Sequence, residues 1–432
     1  KNVMANLLFY RLGGVCNANK LFSEIILNPF DNKIKTAICG IASMGVGAQS
    51  GMSPVDLTDQ PKINACKIIA DAQQIVPNDS GRCVHFAASG TLTAPDIQTN
   101  IDRMKAMGIN WALVPYAANK EALLKYATLF KQNNLEVVWR PLLTPNQNYH
   151  TTGWAEDVTT LIGLGFKDPI IQMYNEPWTE GNDESLFLNN LATGAVQIYN
   201  AGGLIGLQAM DGEELTKELE ALRAVGGDKI LTRVVAIPHL YSPPGANPTT
   251  FWDSSIVGLL ASIEDALKTA GIPNAPIIAG EGGFKEMEVG YNTALQAQYT
   301  RQLYDWTQTG LMPNERNYND GKTPANLLGI CQWQLTATGA SDPNSGGSWY
   351  DNRTEQRGIQ ENGAYTKDFI VRELQQTAGG TRAQVVCPPD PAPATDSQSA
   401  DTGGSNNTIV PDTILPAPTP IIDRINQFDR LP

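Results

Sequence analysis

Between residues 83 and 375 short apolar runs alternate with longer stretches of helical periodicity, a pattern that few folds accept. Eight runs read as strands: 83–88, 110–115, 135–140, 169–174, 203–208, 233–238, 276–280 and 328–333. They are mostly unbroken apolar strings, as expected of strands covered on both faces. Between them, residues 94–107 carry Ile97, Ile101, Met104 and Met107 on one helical face, and 120–132 carry Leu123, Leu124, Ala127 and Phe130. The stretches 213–224 (Leu215, Leu219, Leu222) and 256–270 repeat the pattern. Strict alternation implies parallel strands with right-handed helical crossovers. Eight such units in about 290 residues fit a (β/α)8 TIM barrel, whose usual size is about 250 residues. A doubly wound open sheet is the alternative, but no glycine-rich phosphate loop follows the first run.

The flanks differ from this middle zone, so three segments are expected. Residues 1–80 form an N-terminal extension of short apolar pieces broken by Gly, Asn and Pro, with one short amphipathic helix beginning near Ile63. Residues 81–376 form the α/β barrel. Residues 377–432 are rich in Pro, Thr, Ser, Gly and Asp and read as a low-complexity linker or tail, too polar to offset chain entropy by burial.

Acidic residues outnumber basic ones by 44 to 31, giving a net charge of -13, which argues against tracking a nucleic-acid backbone. Uncharged or cationic material suits such a chain. No intact signal peptide and no transmembrane segment are visible. Six cysteines, Cys16, Cys39, Cys66, Cys83, Cys331 and Cys387, permit disulfides without fixing their connectivity. Cys331, inside the eighth run, reads as a buried free thiol. With no CxxC pair and three histidines, a structural zinc site is not expected, and no metal or organic cofactor is implied. An extracellular or cell-surface location is the expectation.

In a barrel of this kind, reactive groups belong at the C-terminal ends of strands. Run four ends Met173-Tyr-Asn-Glu-Pro-Trp178, run six Ile237-Pro-His-Leu-Tyr241, run seven Ile278-Ala-Gly-Glu281, and run eight Cys331-Gln-Trp333. Glu176 and Glu281 each directly follow a strongly apolar run. Facing each other across a cleft, they would supply the two carboxyl groups that cleavage of a glycosidic bond requires. One would be held protonated to donate to the leaving oxygen, the other ionised to attack the anomeric carbon. Solvated loop carboxylates are the plain alternative.

Asn175-Glu176-Pro177 after a fourth strand, with Glu281 ending a seventh, resembles the clan A glycoside hydrolases, the TIM-barrel group that holds cellulases, mannanases, β-glucosidases and β-xylosidases. His239-x-Tyr241 on strand six and Trp333 on strand eight extend the resemblance, which spans roughly residues 83–375. It implies Glu176 as acid/base, Glu281 as nucleophile and Asn175 as the contact to the sugar 2-hydroxyl. It further implies Tyr241 beside the nucleophile, His239 by the sugar and Trp333 as the floor of the sugar subsite. A flat indole suits the apolar face of a pyranose.

One feature departs from the group. Many members place an Arg at the end of strand two, where this chain has Val114-Pro-Tyr116. Either the strand count is off by one or Arg140, ending run three, reaches the nucleophile from a neighbouring strand. Trp178 is a further candidate for stacking on sugar, and the long stretch 336–364 for a wall of the cleft. The resemblance therefore implies a retaining, β-directed glycosidase acting on an oligosaccharide or polysaccharide. The rival is a non-catalytic carbohydrate-binding or cell-surface scaffold that kept a hydrolase barrel, since fold alone never proves activity. Both flanks suggest a larger multidomain or surface assembly.

Overall fold

The computed structural model describes residues 55–87, 90–147, 149, 152–179, 183–241, 256–283, 293–309, 326–337, 348–351, 360–361, 364–365 and 368–382. Most of the proposed tail and much of the stretch 336–364 lie outside them. The barrel strands are β1 (Cys83–His85), β2 (Trp111–Ala117), β3 (Glu136–Leu142), β4 (Ile170–Gln172), β5 (Leu204–Leu207), β6 (Val234–Ala236), β7 (His239–Tyr241), β8 (Ile277–Gly283) and β9 (Leu327–Gln332). Each pairs in parallel with its neighbour, and β1 pairs with β9, so the sheet closes. Both β6 and β7 pair with β8, which makes them two pieces of one barrel strand. Pro238 lies between the pieces and has no N–H for the ladder. The result is an eight-stranded (β/α)8 barrel, as the alternation predicts.

Helices α2 (Ala94–Ala106), α3 (Lys120–Gln132), α4 (Gly153–Gly163), α5 (Glu184–Asn200), α6 (Gly212–Leu231), α7 (Ile256–Thr269) and α8 (Thr293–Thr309) cover the outside. Their apolar stripes meet outward-facing strand residues in a single large core. Thr93 caps α2 by accepting the Asp96 N–H, Asn119 caps α3 and Asp183 caps α5. Ile97, Ile101 and Met104 of α2 are wholly buried; each such side chain stabilises by about 1.5–3 kcal/mol. Helix α6 runs past the expected 224 because Gly227, at φ 59°, joins two helical pieces through a kink.

A second core fills the barrel interior, and it explains part of the N-terminal segment. Ile63, Ala65, Ile69 and Ala72, on or just before α1 (Ala65–Ile75), pack against the inward residues Trp111, Leu113, Val138, Ile170, Leu204, Val235, Ile278 and Leu328. The helix is a plug across the N-terminal mouth. Buried arginines fasten this end. Arg233 donates to the carbonyls of Pro61, Gly202 and Gly203 and pairs with Asp168 at 2.8 Å. Arg82 donates to the carbonyls of Met107, Leu374 and Thr377, which ties down α9 (Asp368–Gln376). Arg382 pairs with Asp79 and donates to the carbonyls of Leu327 and Leu328. Residues 377–382, read from composition as the start of a tail, are thus fixed to the barrel floor.

Cys331 corrects the sequence expectation. It is disulfide-bonded to Cys83, its register partner across β1 and β9. Closure makes the first and last strands neighbours, so cysteines 248 residues apart face one another. Cys66 is disulfide-bonded as well. Among the described residues, no helix is long and apolar enough to cross a membrane.

The plugged end also carries a pH-sensitive carboxyl. Glu136 opens β3 in a cavity lined by Asp71, Lys131, Lys167 and Asp168. Burial, with Asp79 and Asp71 adding repulsion against the pull of Lys131, pushes its pKa up from 4.5 to about 7. A raised carboxylate pKa destabilises the fold as pH climbs from the unfolded value to the folded one. The penalty is absent below about pH 4.5 and complete above about pH 7, where it reaches about 3 kcal/mol. Glu136→Gln should therefore raise the urea midpoint at pH 8 and leave it nearly unchanged at pH 4. An equal change at both pH values would refute this account.

Candidate active site

The C-terminal mouth is built by continuing the inward layer one step further. Side chains along a strand alternate faces, so a residue two beyond an inward core residue also points inward. Cys83 and Val138 are inward, which aims His85 and Arg140 into the mouth. Ile237 does the same for His239 and Tyr241, and Cys331 for Trp333. Glu281 is the exception. Ile278 faces inward and Ala279 outward, so simple alternation would turn Glu281 toward the helices. The β8–β9 register shifts between Ala279 and Gly282, and a bulge of this kind re-aims a side chain. Gly280 allows it, because a Cβ there would lie 2.6 Å from Ile237 Cγ2.

Glu281 is held from several strands. Arg140 Nη1 donates to Oε1 at 2.7 Å, and Tyr241 Oη donates to Oε2 at 2.7 Å. His239 Nδ1 lies 3.7 Å from Oε2, and His85 Nε2 lies 3.5 Å from Oε1. Burial alone would push this carboxyl upward, but the pull of His239 and of Arg140, the latter reinforced by its hydrogen bond, outweighs it. Glu281 is held far below the usual carboxylate range. The pull runs the other way on Tyr241, whose phenol is driven well up by burial and by the Glu281 charge, so it remains a donor.

Glu176 reaches the same space from the loop after β4. Its backbone sits at φ 37°, in the left-handed region, and Thr179 N–H closes the turn by donating to its carbonyl at 3.0 Å. Its side chain is about one-third exposed. Oε1 lies 2.9 Å from His239 Nδ1, and this contact lowers its pKa against the raising effect of partial burial. One oxygen each of Glu176 and Glu281 and one ring nitrogen of His239 lie within 4.8 Å of one another. The backbone pairing of His239 with Glu281 across β7 and β8 fixes two of its three members. Asn175 joins through its side-chain oxygen, which accepts from Arg140 Nη1 at 2.7 Å. An arginine only donates, so the contact identifies that atom as Oδ1 and leaves the amide N–H groups to face elsewhere.

No model of a known protein family matches the chain. No curated protein sequence matches it either. Solved structures offer weak likeness. An endo-β-1,4-glucanase from Xanthomonas axonopodis pv. citri, carrying three substitutions, is 11% identical with a TM-score of 0.41, over 68% of this chain and 99% of that one. A GH99 endo-α-mannosidase from Bacteroides thetaiotaomicron is 10% identical with a TM-score of 0.36, over 66% and 80%. A dipeptide epimerase from Enterococcus faecalis is 9% identical with a TM-score of 0.33, over 62% and 62%. Two of these are glycoside hydrolases and one is not. Neither activity nor substrate carries over at such values, and the barrel here rests on its own strand pairing.

Of the residues singled out in the sequence, Asn175, Glu176, Glu281, His239, Tyr241 and Arg140 converge. Arg140 resolves the question of the missing strand-two arginine: the count holds, and its long side chain reaches the carboxylate from β3. Trp333 stands at the mouth, partly exposed, tilted 45° against His85 with ring centroids 4.4 Å apart. Trp178 is not brought to the cluster. Its indole N–H donates to Glu218 on α6 at 2.9 Å, Phe187 packs against its edge, and the Lys217 ammonium lies 4.9 Å from its ring centre. It locks the Glu176 loop to the helix layer instead. Trp139 and Trp349 are buried in the outer core. His85 is the residue that sequence reasoning missed. Its signal was a lone imidazole, two places beyond an inward cysteine in an otherwise apolar strand.

Proposed function

We propose that this chain is a glycoside hydrolase that cleaves β-linked glycosidic bonds with retention of configuration. The observation that carries the proposal is the approach of Glu176 and Glu281 oxygens to within 4.8 Å. Retaining enzymes hold their carboxyl groups about 5–5.5 Å apart, whereas inverting ones need about 6.5–9.5 Å to admit a water. Glu281, kept ionised by Arg140 and Tyr241, attacks the anomeric carbon. Glu176 donates its proton to the departing oxygen, and the glycosyl ester on Glu281 is then hydrolysed by a water that Glu176 deprotonates.

His239 makes Glu176 more acidic in the empty site, the wrong direction for a proton donor. The same 2.9 Å contact serves equally with the proton on the carboxyl and the imidazole accepting. A sugar that displaces water from the one-third-exposed carboxylate disfavours its charged form and favours the protonated acid. A contact from Asn175 to the sugar 2-hydroxyl fits this reading, and Trp333 offers a face for the ring. Disulfide bonding at Cys66, Cys83 and Cys331 supports an extracellular or cell-surface setting. The polar composition beyond residue 382 supports a place within a larger surface assembly.

The test is inactivation by a panel of 2-deoxy-2-fluoro aryl β-glycosides, read by intact mass and peptide mapping, with the first-formed product anomer read by proton NMR. A stable adduct on the Glu281 peptide and a product of retained configuration are expected. Oligosaccharide binding without turnover or labelling would instead identify a scaffold, and an inverted product would overturn the double displacement.

A further inference from the structure

We propose that His85 is a positioning residue: it accepts one N–H of Arg140 and thereby aims the other arm of the guanidinium fork at Glu281 and Asn175. The inference deepens the glycosidase reading and rests on it for its catalytic consequence alone.

The geometry leaves His85 one role in this contact. Its Nε2 lies 2.7 Å from Arg140 Nη2. Arginine has five donors and no acceptor, so Nε2 must present its lone pair, and the proton of the ring sits on Nδ1. Burial, reinforced by the Arg140 charge, disfavours a second proton and pushes the ring pKa well down. The ring itself is fixed. It is completely buried, packs 4.4 Å from Trp333, and stands one layer above the Cys83–Cys331 disulfide that joins the two strands bearing His85 and Trp333.

With Nη2 held on β1, Nη1 is left to bridge Asn175 Oδ1 and Glu281 Oε1, each at 2.7 Å. Among the described residues Arg140 Nε makes no hydrogen bond, so there the orientation of the fork depends on these three contacts. The groups facing Glu281 are His85 from β1, Arg140 from β3, Glu176 from the loop after β4, and His239 and Tyr241 from β7. Removing the acceptor on β1 frees the fork to turn, which weakens the pull on Glu281 and loosens Asn175 together.

Two amide variants separate positioning from mere packing. The His85→Asn amide ends near the place of Nδ1 and cannot reach Arg140, whereas the His85→Gln oxygen reaches the place of Nε2. Both lose the aromatic ring, so a purely structural role would move them alike. The Glu281 carboxyl, followed by 13C NMR of carboxyl-labelled glutamate and assigned by its loss in Glu281→Gln, should titrate at higher pH in His85→Asn and close to wild type in His85→Gln. The acid limb of kcat/KM should rise in parallel, and kcat/KM should fall about 10- to 100-fold in the Asn variant, the scale of a misplacement of about 1 Å. Equal behaviour of the two variants, or a Glu281 titration unmoved in both, overturns the proposal. The NMR readout needs no turnover, so it decides the role of His85 even where the wild type labels with no fluoroglycoside and the glycosidase reading fails.

Discussion

Glu281→Gln should abolish turnover on every glycoside tested, by roughly 10⁴- to 10⁶-fold, the scale at which losing an enzymatic nucleophile is felt. The amide keeps the shape of the carboxylate and can still accept from Arg140, but it cannot form a glycosyl ester. The loss should fall on kcat and kcat/KM together, since the interaction removed belongs to the reaction and not to binding. Oligosaccharide affinity should survive.

The same substitution has a second, independent readout. Glu281 is about 5% exposed, and its removal leaves the buried Arg140 guanidinium without its counter-charge. Breaking one side of such a pair costs about 3–5 kcal/mol. A carboxyl whose folded pKa is depressed contributes stability above its unfolded value of about 4.5, and that contribution fades as pH falls through the folded value. The variant should therefore be less stable than wild type at pH 7, with the gap narrowing only in strong acid. Residual turnover above about 1% of wild type, after exclusion of contaminating wild-type enzyme, would assign the nucleophile to another group.

The barrel was legible in the sequence because burial on both faces leaves parallel strands almost free of polar residues, and each helix shows one apolar stripe. Glu176, His239, Tyr241 and Trp333 could be read because they end such runs. What escaped depends on closure and on reach. Cys331 looks like any buried thiol until strands one and eight become neighbours, and only then does Cys83 stand opposite it. His85 sits inside an apolar run, where alternation from Cys83 predicts only its direction. Arg140 could not be assigned because a side chain that long serves an adjacent strand as easily as its own. Trp178 misled for the opposite reason. The partner that turns it away, Glu218, lies 40 residues further on in a helix, and burial keeps that carboxyl well above its ordinary pKa. The role of α1 was likewise invisible, since an amphipathic helix does not declare which barrel mouth it covers.

Glu176→Ala should give a loss that depends on the leaving group, and this dependence separates an acid from a structural residue. For alkyl glycosides and natural oligosaccharides, whose departing oxygen must be protonated, the loss should reach about 10²- to 10⁴-fold. For aryl glycosides with strongly acidic phenols the first step needs no proton, so glycosylation should run near the wild-type rate. The second step still lacks its base, so the glycosyl-enzyme on Glu281 should accumulate, visible as a burst of phenol followed by slow turnover. Azide, a nucleophile that needs no deprotonation and fits the space of the lost carboxyl, should relieve that block and yield a glycosyl azide of retained configuration. The alkaline limb of the kcat/KM profile should flatten for activated substrates, because the group whose proton was required is gone. Losing Glu176 also removes a hydrogen bond to His239 Nδ1, so a general disturbance of the site is the competing explanation. That explanation predicts equal losses on alkyl and activated aryl substrates, with no burst and no response to azide.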